Sequence, residues 1–181
     1  DRTIRLWNAA TRAPIRTLTG HEGQVLSLAI SPNGRTLASG SRDNTVKIWD
    51  MYVPDPLAKF EGHTEAVGVV ELDPKGRWVV SGGASGAVKI WNRADGKLLH
   101  DLKGHAAAIT RADIHTEGSQ LVTGDAAGVI NFWNPADGAG QGSLGAHVGK
   151  VTGLAYRPGA PTLISAGESG AVKLWQLPLV G

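Results

Sequence analysis

An all-β repeat protein of the propeller type is what this sequence predicts, and three observations carry that prediction. Trp7, Trp49, Trp91, Trp133 and Trp175 stand 42 residues apart, and His21, His63, His105 and His147 keep the same step. Two unlike residue types in phase along the whole chain mean one structural unit copied several times, and a period near 42 residues falls among those of four-stranded propeller blades. An alternating apolar segment leads into each tryptophan, while no stretch shows helical periodicity.

In register, the chain holds four histidine-to-tryptophan units at residues 20–50, 62–92, 104–134 and 146–176, with 1–8 the tail of a preceding unit. Each opens on an apolar run, Gln24 to Ile30, Ala66 to Leu72, Ala108 to Ile114 and Lys150 to Tyr156, rich in the small and branched residues of an innermost strand. A turn follows, written Ser31-Pro32-Asn33-Gly34 and Asp73-Pro74-Lys75-Gly76, with only Gly118 kept in the third unit. The second strands are expected at Thr36 to Ser39, Trp78 to Ser81, Gln120 to Thr123 and Thr162 to Ser165. The next turn calls for left-handed backbone, and the phase supplies Asn44, Gly86, Gly128 and Gly170. Third strands follow in which Ile4 and Leu6, Val46 and Ile48, Val88 and Ile90, Ile130 and Phe132, Val172 and Leu174 share a face. A fourth segment, such as Pro14 to Leu18 or Leu98 to Leu102, reads as the outer edge strand.

Composition narrows the function classes. Eighteen basic against 16 acidic residues give a net charge of +2 with no basic run, which argues against nucleic-acid binding. The absence of cysteine excludes disulfides and a thiolate nucleophile, and leaves both reducing and oxidising compartments open. No apolar stretch approaches a membrane span, so no membrane insertion is expected, and Met51 as the only methionine reads as a processed or truncated start.

The units resemble the WD-repeat β-propeller family, named for a Gly-His pair and a Trp-Asp pair bracketing each repeat. Gly-His stands at Gly20-His21, Gly62-His63 and Gly104-His105, with Ala146-His147 in the fourth unit; Trp-Asp is literal only at Trp49-Asp50. Elsewhere the second pair reads Trp7-Asn8, Trp91-Asn92, Trp133-Asn134 and Trp175-Gln176. The resemblance covers essentially the whole chain. It implies a buried network of histidine, serine or threonine, aspartate and tryptophan bracing each blade. The first unit matches in full with His21, Ser39, Asp43 and Trp49. The others match at His63, Ser81 and Trp91, at His105, Thr123 and Trp133, and at His147, Ser165 and Trp175, but hold Ser85, Ala127 and Ser169 where the aspartate would stand. Asp1 and Trp7 fit the leading partial unit. Units two to four are therefore expected to be looser or water-bridged, and His21→Ala to cost more stability than His105→Ala.

Serine, histidine and aspartate together suggest a nucleophilic triad, but one recurring inside a repeat and beside a tryptophan reads as structural packing. His100 and His115 fall outside the phase without metal-type spacing, so no metal site and no cofactor is expected. Gly140 to Gly145 spells a dinucleotide-type glycine pattern, yet lacks the following helix that gives the pattern its chemistry. Trp78 reads either as filler between blades or as an interface anchor.

By resemblance, the chain is a non-catalytic platform for a protein or peptide partner. The candidate face is built from the loop after each Gly-His and the turn between second and third strands: Glu22, Gln24, Arg42, Thr64, Glu65, Asp125, Lys150 and Glu168. A regulatory or spacer segment of a multidomain protein is the alternative, and a propeller hydrolase a third reading. Family members usually have seven or eight blades, so about four units predict an arc of a larger propeller, with an eight-bladed dimer as the alternative. Open blade edges would favour self-association.

Overall fold

The computed structural model describes residues 1–177, and every element among them is a β-strand. The first sheet is a hairpin of β1 (Ile4–Trp7) and β2 (Pro14–Leu18). Three four-stranded sheets follow. They are β3 (Val25–Ile30), β4 (Thr36–Ser41), β5 (Val46–Asp50) and β6 (Pro56–Phe60); β7 (Val67–Leu72), β8 (Trp78–Gly83), β9 (Val88–Asn92) and β10 (Leu98–Leu102); and β11 (Ile109–Ile114), β12 (Leu121–Asp125), β13 (Val129–Trp133) and β14 (Gly140–Gly145). The last sheet has β15 (Val151–Tyr156), β16 (Thr162–Gly167) and β17 (Val172–Gln176). Every sheet is an antiparallel meander in chain order, which short turns between consecutive strands permit. The architecture is a partial β-propeller whose first and last sheets share no strand pairing among the described residues.

The turns form where the sequence places them. Gly34, Gly76 and Gly118 sit at φ between 66° and 75°, and Asn44, Gly86, Gly128 and Gly170 take the left-handed backbone leading into the third strand. Gly140 to Gly145 is the outer strand β14, and the next element is the strand β15 rather than a helix.

The core lies between sheets. Phe60, Val46 and Ile48 of one sheet pack against Val67, Val70, Leu72 and Trp91 of the next. The same residues one period on, Val88, Ile90 and Leu102, meet Ile109, Ala112, Ile114 and Trp133, and the pattern repeats from β13 to β15. Each unit thus buries its neighbour's inner face and cannot bury its own, which is why the 42-residue phase extends to every core position. Trp78 is partly buried against this core, with the Arg77 guanidinium 3.9 Å above its ring.

Each inner strand carries a β-bulge at the same phase, between Val25 and Ser27, Val67 and Val69, Ile109 and Arg111, and Val151 and Gly153. The extra residue kinks the strand and turns one position out of the pleat. Those positions, Leu26, Gly68, Thr110 and Thr152, are the ones that shape the surface described next.

Candidate functional site

Two sets of residues emerge from the repeat, one buried and one exposed. In the first full blade, His21 Nε2 lies 2.7 Å from Ser39 Oγ, which accepts the Trp49 indole N–H at 2.8 Å. His21 Nδ1 lies 2.8 Å from Asp43 Oδ2. The polarity is self-consistent: Trp49 N–H donates to Ser39, the Ser39 hydroxyl donates to Nε2, and Nδ1–H donates to the carboxylate. Burial lowers the His21 pKa against the opposing pull of Asp43. Burial would raise Asp43, but the Thr45 hydroxyl, His21 and the Glu22 and Thr45 backbone N–H groups overcome it and hold the carboxyl far below its usual range.

Ser81, Thr123 and Ser165 receive the Trp91, Trp133 and Trp175 N–H groups at 2.8 Å, and each hydroxyl lies 2.7 Å from Nε2 of His63, His105 or His147. The blades differ at Nδ1. The structure corrects the expectation for the third: Asp125 Oδ2 stands 2.8 Å from His105 Nδ1, so that blade has a carboxylate although Ala127 occupies the aligned position. Asp125 is the last residue of β12, two positions before the turn residue that Asp43 represents, and its side chain reaches the same point from the strand end. Its other oxygen accepts the Ala127 and Val129 N–H groups. Asp125 is therefore buried in the blade and does not lie on the exposed face where sequence reasoning placed it.

Neither Ser85 nor Ser169 bonds its histidine. Burial, reinforced by the Lys89 charge, takes His63 down to about 4. His147 Nδ1 is buried with no hydrogen-bond partner among the described residues. Gly83 and Gly167 occupy the Asp125 phase in these blades, and an added Cβ would lie 3.0 Å from His63 Nδ1 and 2.6 Å from His147 Nδ1.

The exposed set lies where the inner strands begin. One backbone hydrogen bond recurs in every unit: Arg42 N–H to Gln24 O, Ala84 to Ala66, Ala126 to Ala108, and Glu168 to Lys150. It brings the loop after the histidine beside the second turn, so these pairs line one face in order. The middle pairs are all alanine, whereas Gln24 with Arg42 and Lys150 with Glu168 mark the two ends. Between them is a shallow depression of about 380 Å³ floored by Leu26, Gly68, Ile109 and Thr110 and reached by Lys150. Thr110 Oγ donates to the Val151 carbonyl at 2.7 Å, and Arg111 Nε to Thr152 O at 2.8 Å, tying adjacent inner strands beneath it. Glu22, Thr64 and Glu65 are exposed on the same loops, and of the residues expected on this face only Lys150 lines the depression; Gln24, Arg42 and Glu168 lie beyond its lining.

Sequence reasoning selected polar loop residues and so passed over Ala66, Ala84, Ala108 and Ala126. The signal was present, since these are the 42-residue counterparts of Gln24, Arg42, Lys150 and Glu168. Outside both sets, Glu71 on β7 is raised to about 8 by burial and by Asp113 on β11. His100 Nε2 lies 3.1 Å from the Ala136 carbonyl, and His115 packs edge-on to Tyr156. Among the described residues no group of three histidines, aspartates or glutamates is placed to hold a metal ion, and no helix is long and apolar enough to cross a membrane.

Comparison with known proteins agrees with this geometry. The family described as "WD domain, G-beta repeat" matches residues 12–50, 54–92, 96–134 and 139–176. Among curated relatives, anaphase-promoting complex subunit cdh1 of Dictyostelium discoideum is 51% identical over 41 residues, 23% of this chain and 5% of its own. Nuclear distribution protein PAC1 of Mycosarcoma maydis is 49% identical over 39 residues, 22% of this chain and 9% of its own. The guanine nucleotide-binding protein subunit beta-1 of Homarus americanus is 46% identical over 43 residues, 24% of this chain and 13% of its own. Each match is about one repeat long, and the chain spans a small part of these relatives. Among solved structures, the computationally designed Ika4 protein is 31% identical with a TM-score of 0.79, over 89% of this chain and 96% of that one. The designed Ika8 protein is 30% identical with a TM-score of 0.85, over 98% of this chain and 53% of that one.

Proposed function

The chain belongs to the WD-repeat family, and on that premise we propose that it is a non-catalytic platform that binds a protein or peptide partner across the alanine-lined face. One observation supports this reading above the others. The 42-residue phase places the smallest apolar side chains at the centre of one concave surface and charged or polar ones at its two ends. A segment of backbone can approach closely over alanine and glycine, while Arg42 at one end and Lys150 with Glu168 at the other fix its direction by charge.

The Ser-His-Asp sets do not support hydrolysis. Ser39 is fully buried, and its oxygen is occupied by both the Trp49 N–H and His21. A nucleophile needs an open approach to its lone pair, and this hydroxyl has none.

Selection of displayed peptides on the 181-residue chain tests the platform, with Ala108→Arg filling the depression and Lys59→Ala on the outer strand as control. Peptides whose affinity falls at least tenfold with Ala108→Arg and not with Lys59→Ala support it. Failure to select any peptide favours a spacer or regulatory segment, and turnover in an ester, phosphate and glycoside screen would restore the hydrolase reading.

A further inference from the structure

Arg111 is a charge that the repeat does not require. The same phase in the other units holds Ser27, Val69 and Gly153, so no cation is needed at this position to build a blade. It stands on β11 directly after the bulge, in an interior sheet packed between β7 on one side and β15 on the other. Two backbone carbonyls hold its guanidinium: Nε–H donates to Thr152 O at 2.8 Å and an Nη1–H to Thr110 O at 2.6 Å. These bonds fix the fork at the edge of the alanine-lined depression without neutralising it, and they occupy two of its five N–H donors.

Among the described residues no carboxylate lies within ion-pair distance of Arg111. Asp113, on the same strand, is engaged by backbone: its oxygens accept the Ile114 N–H at 2.9 Å and the Tyr156 N–H at 2.6 Å. Asp125 is turned to His105, and Glu168 accepts the Lys150 backbone N–H at 3.4 Å from beyond the depression. The lining of the depression holds no acid. Arg111 and Lys150 are its charged members, and its one hydroxyl, that of Thr110, already donates to the Val151 carbonyl. A rigid cation without an anion, beside a floor of small apolar side chains, is complementary to a carboxylate carried by closely approaching backbone.

We propose that the partner is an extended peptide bearing an acidic side chain, whose carboxylate sits on the free edge of the Arg111 guanidinium with Lys150 as a second, weaker contact; this rests on the platform reading above. The row of loop pairs continues past the depression, to Gln24 with Arg42 at one end and to Glu168 at the other. A segment lying along the row therefore runs through the depression rather than stopping in it, so the acid is an internal aspartate or glutamate and not a chain terminus. The alanines set how near the backbone comes, and Arg111 sets which residue of the peptide stands over β11. Anchoring by two carbonyls means that little side-chain freedom is lost when the carboxylate binds.

Displayed random peptides selected on the 181-residue chain are first sorted by Ala108→Phe, which blocks the depression without adding charge. Those sensitive to the block are expected to share an Asp or Glu at one position, and its exchange for Asn or Gln to weaken binding about tenfold. Arg111→Gln should weaken the acidic peptide about tenfold and leave its amide counterpart unchanged, which separates a lost contact from a disturbed fold. Lys150→Gln, at an exposed position, should cost the acidic peptide about threefold. Peptides that need the depression but carry no shared acid, or that bind Arg111→Gln as they bind the wild type, overturn this inference and leave the platform standing. Peptides indifferent to Ala108→Phe, or none selected at all, overturn the platform and this inference with it.

Discussion

Replacing Asp125 by alanine removes one carboxylate and leaves three donors without an acceptor. His105 Nδ1–H and the backbone N–H groups of Ala127 and Val129 now lie 2.8, 2.9 and 2.9 Å from its oxygens. Each donor left unpaired in the interior costs about 1–3 kcal/mol. Ala127 is exposed, so water can satisfy its N–H, whereas the imidazole is sealed and Val129 only partly open. The loss should therefore be about 3–5 kcal/mol, a large share of the stability of an ordinary domain. Ser85→Ala is the control: Ser85 holds the position that the alignment assigned to the aspartate, is exposed, and should change stability by less than about 0.5 kcal/mol. Urea unfolding of both variants, followed by tryptophan fluorescence, reads the difference. A loss for Asp125→Ala below about 1 kcal/mol would refute the assignment of a paired, buried carboxylate to the third blade. The same reasoning revises the expected order of the histidines: His21→Ala and His105→Ala should cost similar amounts, and both more than His63→Ala.

Ser85→Asp should stabilise the second blade by about 1 kcal/mol, since it places a carboxylate as Asp43 does, next to Gly86, which already holds the required turn. Gly83→Asp should instead destabilise it, because its Cβ would press on His63. For wild-type His63, whose pKa falls from 6.5 unfolded to about 4 folded, the unfolded chain takes up the proton first. Its contribution is complete above pH 6.5 and is lost as pH falls towards 4, a slope that Ser85→Asp should flatten in urea titrations at several pH values. Glu71 acts in the opposite sense: its carboxyl is raised from 4.5 to about 8, so the unfolded chain loses its proton first and stability falls as pH rises through that window. Glu71→Gln should gain about 1–3 kcal/mol at pH 8 and nothing at pH 4, as read by the same titrations.

Much of the fold was legible because a propeller writes every layer of its core at one period. The fourth strands Pro14–Leu18 and Leu98–Leu102 and the left-handed turn at Asn44 stand where the phase placed them. What the phase concealed was substitution of position. Asp125 was read as a loop residue because it is out of register with Asp43, although the end of β12 and the turn after it both overlook the same imidazole. The depression was concealed for a different reason. Polar loop residues attract notice, while Ala66, Ala84, Ala108 and Ala126 carry no chemistry of their own, and their effect is the space they leave.

In the two blades that hold a carboxylate, the imidazole fixes where the charge lies rather than which residue carries it. The first full blade meets it from the turn with Asp43, and the third from the strand end with Asp125. The strand-end route is closed to the fourth blade, since a Cβ on Gly167 would stand 2.6 Å from His147 Nδ1. The turn route is structurally open there, for Gly170 holds the left-handed φ that Asn44 and Arg2 share, yet β17 is preceded by Ser169.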